Sequence, residues 1–305
     1  MIDVTGGYVD ALCLVLLSVL LITTATTVVT TADWPGRAPC AALCLWLAGY
    51  VGGLSALVCA TYGLFAELDE NLAHRTLRLP ADAAAVGFAW VFIARVVTAY
   101  VEVGRLARRR RERHLMLLEL FGYAAQHLSA VVLPSRQPLA YSVPGRWSRR
   151  GHAVISDVVL AEFTREEVQS VLAHEQAHLR QRHHLLTQLS EALCTTLPRG
   201  QFTARFGDRI GNLIEMRADC AARVKCGRLT IAQALARMAP GKSPETAAGS
   251  RCPVAARRRH LLTNVRCCSS LTSSVVFGAA CVLATAPVAL LAVGALAAVC
   301  DWICR

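Results

Sequence analysis

The stretch TREEVQSVLAHEQAHL, residues 164–179, opens on a helix start signal. Thr164 followed three residues later by Glu167 is a capping box, in which each side chain accepts from the other's orphan backbone N–H. Val168, Val171, Leu172 and Leu179 then recur at helical spacing, which predicts a helix from Arg165 to Leu186. On it lies His174-Glu175-Gln176-Ala177-His178, an HExxH sequence. Residues four apart share a helix face, so both imidazoles can reach one tetrahedral zinc ion. Glu175 points about 100° around the helix, beside the metal, where it can take the proton of an attacking water and pass it to the leaving amine. A chain of this composition would contain the pentapeptide by chance roughly one time in a hundred. Its place behind a capped start, with an apolar face opposite, decides for a site over incidental histidines.

A catalytic zinc takes three protein ligands. At the offsets where metzincins place a glycine and a histidine stand Gln181 and His184, so the metzincin pattern is not complete. Glu215 and Asp219, four apart in Ile214-Glu215-Met216-Arg217-Ala218-Asp219, are the leading pair. One of them would bind zinc while the other hydrogen-bonds a ligand imidazole. Glu191, Asp208, His183 and His184 remain alternatives.

Around this segment the composition is that of a membrane protein. Of 305 residues, 54% are hydrophobic and 17% charged, against about 25% charged in average soluble domains. No charged residue occurs from Ala11 to Ala32, Ala38 to Ala66 or Cys267 to Cys300. Each window exceeds the roughly 20 residues that cross a bilayer as a helix. A further window, Ala83 to Gly104, is interrupted by Arg95 and Glu102. Four transmembrane helices are therefore expected, with Arg95 snorkelling to the headgroups. No basic stretch precedes the first window, so it is read as an uncleaved helix and not a signal peptide.

The net charge of +11 is unevenly placed. Arg105 to His114 alone holds six arginines and one glutamate, and the excess continues to Arg266. The positive-inside rule makes this block cytoplasmic, with both termini external. The domain division expected is 1–104 for three spans, 105–266 for a cytoplasmic domain and 267–305 for the fourth span and a short tail. The segment Leu115 to Leu133 reads as a helix packed on the domain or lying at the membrane surface. Val131–Leu133, Leu139–Val143 and His152–Ile155, separated by Pro134, Pro138, Pro144 and Gly145, read as a small antiparallel sheet. Pro240 to Pro253 reads as a linker before the basic flank of the last span. None of the thirteen cysteines forms a CxxC pair, which argues against a cysteine-ligated metal.

The run Val171 to His178, followed by Arg180, Arg182-His183-His184 and the later Glu215 with Ala218-Asp219, resembles the BlaR/MecR family of integral-membrane zinc peptidases, relatives of the HtpX and CAAX-prenyl protease group. Ala140-Tyr141-Ser142-Val143-Pro144-Gly145 also fits. The resemblance implies one zinc ion per chain held by His174, His178 and Glu215, with Glu175 as general base and Asp219 supporting a ligand. It also implies three spans, a cytoplasmic peptidase domain and a fourth span. The penicillin-binding sensor domain that the family's antibiotic sensors carry after that span has no counterpart in this sequence. The expected protein is α-rich, with four transmembrane helices and an α+β zincin-like domain, in the cell membrane. It is expected to be a zinc endopeptidase cleaving a cytoplasmic protein in a signalling pathway, a transcriptional repressor or itself. The alternatives are an HtpX-like quality-control protease and a non-catalytic basic binding protein. No nucleic-acid motif accompanies the basic block, so no direct nucleic-acid binding is expected.

Overall fold

Three long helices take up the first apolar stretches: α1 (Ala11–Thr31), α2 (Pro39–Glu70) and α3 (Leu79–Phe121). The computed structural model describes residues 11–70, 79–125, 128–145, 151–238, 254–263, 274–287 and 289. Each of the three helices is long and apolar enough to cross a membrane by length and composition. Of the expected fourth span the described part is Ser274–Pro287 (α10), an apolar helix shorter than a span. Apart from Ala289, the remainder of that window, and the expected linker Pro240 to Pro253, lie outside the described residues. The described residues fall into two compact units, one made of those within 11–32, 40–95 and 274–289, the other of those within 33–39 and 96–263.

In the first unit α1 and α2 cross closely at Gly49 and Gly53. A Cβ on Gly49 would collide with the Ala25 Cβ, and one on Gly53 would come within 2.7 Å of Ile22 Cγ1. Small residues four apart allow such backbone approach between apolar helices. Thr23, Thr26, Thr30 and Thr31 of α1 return their hydroxyls to the preceding turn, as Thr26 does to the Ile22 carbonyl at 2.7 Å, so these four add no unpaired polar group.

The third apolar window and the arginine cluster were expected to end one helix before Leu115 began another. They form one helix instead. No glycine or proline interrupts 105–121, and Arg, Leu, Met and Glu are all good helix formers. The helix stops at Gly122, where a Cβ would meet the Leu118 carbonyl at 2.6 Å and Val131 Cγ1 at 2.7 Å. Beyond Phe121 no described residue of Leu115 to Leu133 continues that helix. That part supplies β1 (Tyr123–Ala125) and β2 (Ala130–Leu133).

The second unit builds its sheet from these strands with β3 (Ala140–Val143) and β4 (His152–Ser156), in the order β1-β2-β4-β3. The sheet is mixed and not antiparallel, because β4 inserts between β2 and β3 and pairs with β2 in parallel, Val132 opposite Ile155. Both central strands are deeply buried, and Val132, Val154 and Ile155 are inaccessible, as parallel pairs require. A short helix α4 (Asp157–Glu162) leads into α5 (Arg165–Arg180), whose capping box forms as expected. Val168, Val171 and Leu172 of α5 close over Val132, Ile155 and Val159 in one core.

The helix expected to reach Leu186 breaks at Arg182, which adopts the left-handed conformation (φ 50°, ψ 41°). That conformation costs a non-glycine residue about 1–2 kcal/mol. Helix α6 (His183–Thr196) then starts in a new direction, followed by α7 (Gln201–Cys226), α8 (Arg228–Met238) and α9 (Val254–Leu262). Helix α9 is not a basic flank standing apart from the domain. Leu261 is fully buried in a cluster with Ala173 of α5, Ala222 of α7 and Ile231 and Ala232 of α8.

Candidate metal centre

Helix α5 brings His174 and His178 onto one face, with their Nε2 atoms 3.1 Å apart. Helix α7 packs across that face and presents Glu215, whose Oε2 lies 3.5 Å from His174 Nε2 and whose Oε1 lies 3.6 Å from His178 Nε2. These three side chains are the one group of possible metal ligands among the described residues, with ligand atoms all within 4.8 Å of one another. Donors about 2.0–2.1 Å from a tetrahedral zinc stand roughly 3.3–3.5 Å from one another, so the observed spacings match that ion. Asp219, one turn beyond Glu215 and wholly buried, sets Oδ1 2.9 Å from His174 Nδ1, a close contact short of an aligned hydrogen bond. Of the alternative ligands, His183 lies behind His178, with their Nδ1 atoms 3.1 Å apart. His184, Glu191 and Asp208 are not in the group.

Arg257, on α9, was not anticipated. Its Nε and Nη2 grip Asp219 at 2.8 and 2.6 Å, and its Nη1 reaches Glu215 Oε2 at 2.9 Å. Only 6% of it is exposed. In the sequence it is one of three consecutive arginines next to an apolar stretch, which reads as a membrane flank. The available signal was Leu261, four residues on and on the same helical face.

The charges of the buried set point the same way. Glu175, Glu215 and Asp219 oppose a single fixed cation, Arg257. Two protons go far to balance them near neutral pH. Burial would lower His174, but Asp219 and Glu215 outweigh it and hold the imidazole up at about 10. Burial pushes the Glu175 carboxyl up to about 7, with the Glu215 charge adding to it against His174 and Arg257. Glu215 and Asp219 are held down, burial being overcome first by Arg257 and then by His174. Burial keeps His178 and His183 neutral, at about 4 and about 3. A bound dication supplies the same two charges, so the donor set fits zinc in charge as well as spacing.

One consequence is measurable. A ligand imidazole must be neutral, and His174 holds its proton up to about 10, so zinc uptake at pH 7 should expel at least one proton. Apparent zinc affinity should strengthen from pH 6 to 9 and weaken as pH falls, since the raised group is charged below its pKa. Titration calorimetry in buffers of different ionisation enthalpy reads this directly. A binding heat independent of buffer contradicts it.

The sequence profile of Peptidase family M48 matches residues 105–238. The match indicates a metallopeptidase, and it ends before Arg257. Among solved structures, Ste24p of S. mikatae is similar over 82% of this chain and 98% of that chain, at 11% identity and a TM-score of 0.36. Among curated proteins none matches.

Proposed function

We propose that the chain is a membrane-embedded zinc endopeptidase that hydrolyses a protein on the cytoplasmic side, as the BlaR/MecR resemblance implies. The observation that carries this reading is the convergence of His174, His178 and Glu215 on one point, with Glu175 next in sequence to the first of them. Three helices of spanning length support a membrane location, and the arginine-rich flank of α3 supports a cytoplasmic peptidase domain.

In this reading the Nε2 atoms of His174 and His178 and a carboxylate oxygen of Glu215 would hold the ion. A zinc ion there would supply Lewis acidity. Glu175 takes the proton of the attacking water and returns it to the leaving amine. Asp219 orients the His174 ring and favours the tautomer that leaves Nε2 free. Arg257 holds Glu215 and Asp219 in place and offsets their charge.

The test is purification of the full chain in detergent, with metal analysis and a peptide-cleavage assay. One zinc ion per chain is expected. Chelation with phenanthroline should abolish cleavage, and added zinc should restore it. Unchanged cleavage by zinc-free protein would sink the proposal.

A further inference from the structure

The left-handed turn at Arg182 sends His183 back against α5 instead of onward along it. His183 is 2% exposed, and its ring meets the His178 ring at 90° with centroids 4.8 Å apart. Its Nδ1 lies 3.1 Å from His178 Nδ1, and its Nε2 lies 3.2 Å from Gln181 Oε1.

With the Gln181 amide oxygen turned to His183 Nε2, these contacts fit one arrangement of protons among neutral rings. Gln181 Oε1 can only accept, so His183 Nε2 carries the hydrogen. A neutral imidazole has a single N–H, so His183 Nδ1 is a lone pair and must accept from His178 Nδ1–H. That leaves His178 Nε2 as a lone pair, and Nε2 is the atom that faces His174 and Glu215. The two imidazoles of HExxH are thus backed differently, His174 by the Asp219 carboxylate and His178 by a neutral chain ending on an amide. We propose that His183, anchored by Gln181, is a positioning residue that fixes the tautomer and ring orientation of His178 for metal binding. The backbone conformation of Arg182 serves to place it there.

This inference rests on the zinc reading above, and the test separates the two. Zinc affinity is measured by chelator competition on the full chain in detergent, for wild type, His183→Asn and His183→Leu. Asn sets an amide oxygen close to the Nδ1 position and keeps the acceptor, whereas Leu fills space without one. His183→Leu should weaken zinc binding about ten- to a hundred-fold, while His183→Asn stays within a few-fold of wild type. The cobalt-substituted Leu variant should show an altered ligand-field spectrum, and the Asn variant an unaltered one. A residue that only filled space would make the two variants alike. Equal zinc affinity of the Asn and Leu variants, both normal or both weakened, overturns the proposal. Should His183→Leu fail to fold, Gln181→Glu against Gln181→Leu decides in the same way, the acceptor being kept in one and lost in the other. If wild type binds no zinc, the zinc reading falls and this inference with it. If wild type binds zinc and the paired variants do not differ, only the inference falls.

Discussion

Glu175→Gln should keep its zinc and lose its turnover. The amide matches the carboxylate in shape and removes only the proton acceptor. General base catalysis contributes about 10²–10⁴-fold, so kcat should fall by at least about a hundredfold with zinc content unchanged. Glu215→Ala should do the reverse, losing the metal itself, because two imidazoles are one ligand short of the three a catalytic zinc retains. Metal analysis beside a cleavage assay distinguishes the cases. A Glu215→Ala protein with full zinc and full activity would show that the ligand lies elsewhere, and a freely cleaving Glu175→Gln protein would remove the peptidase reading altogether.

Arg257→Met should destabilise the zinc-free protein by about 3–5 kcal/mol, the cost of removing one partner from a buried charge set. Met retains much of the side-chain volume, so the loss is electrostatic. Asp219 is wholly buried, and without the guanidinium His174 is left opposite it. Saturating zinc should narrow the deficit, since a dication replaces the missing positive charge. Arg258→Met, at the exposed neighbouring position, should change stability by less than about 0.5 kcal/mol. Thermal unfolding of the three proteins, with and without zinc, checks both effects. Equal melting of the Arg257 and Arg258 variants without zinc would show that the guanidinium does not hold the site together. Because the matched family segment ends at Met238, a truncation there should behave like the Arg257 variant or worse.

Much of the site could be read in advance because it depends on one helical turn. The capping box Thr164–Glu167 and the His174–His178 pair need only contacts three or four residues apart, and each forms where the spacing put it. The apolar windows of α1 and α2 were equally legible, since a long uncharged run is visible without knowledge of its neighbours. The continuity of α3 was not. The arginines look like a boundary, but they favour helix, and the helix runs on to Phe121, just before Gly122, whose missing side chain leaves room for Val131. The break at Arg182 was not legible for a related reason: the contact that accompanies it, His183 against His178, joins two helices and follows no spacing along one.

The sequence by itself determined two imidazoles on one helix face, the carboxylate beside them and the apolar stretches that flank the domain, because these follow from periodicity along a single element. Only the tertiary structure decided that Glu215 and not Glu191, Asp208, His183 or His184 completes a possible ligand group with those imidazoles, that Asp219 backs His174, and that β4 slips between β2 and β3, parallel to β2. It alone brought in Arg257, 38 residues from Asp219 and 83 from His174. Contacts across such separations arise from burying α7, α8 and α9 on one core and from cancelling the charges trapped there, and no spacing along the chain records which buried cation will meet which buried acid.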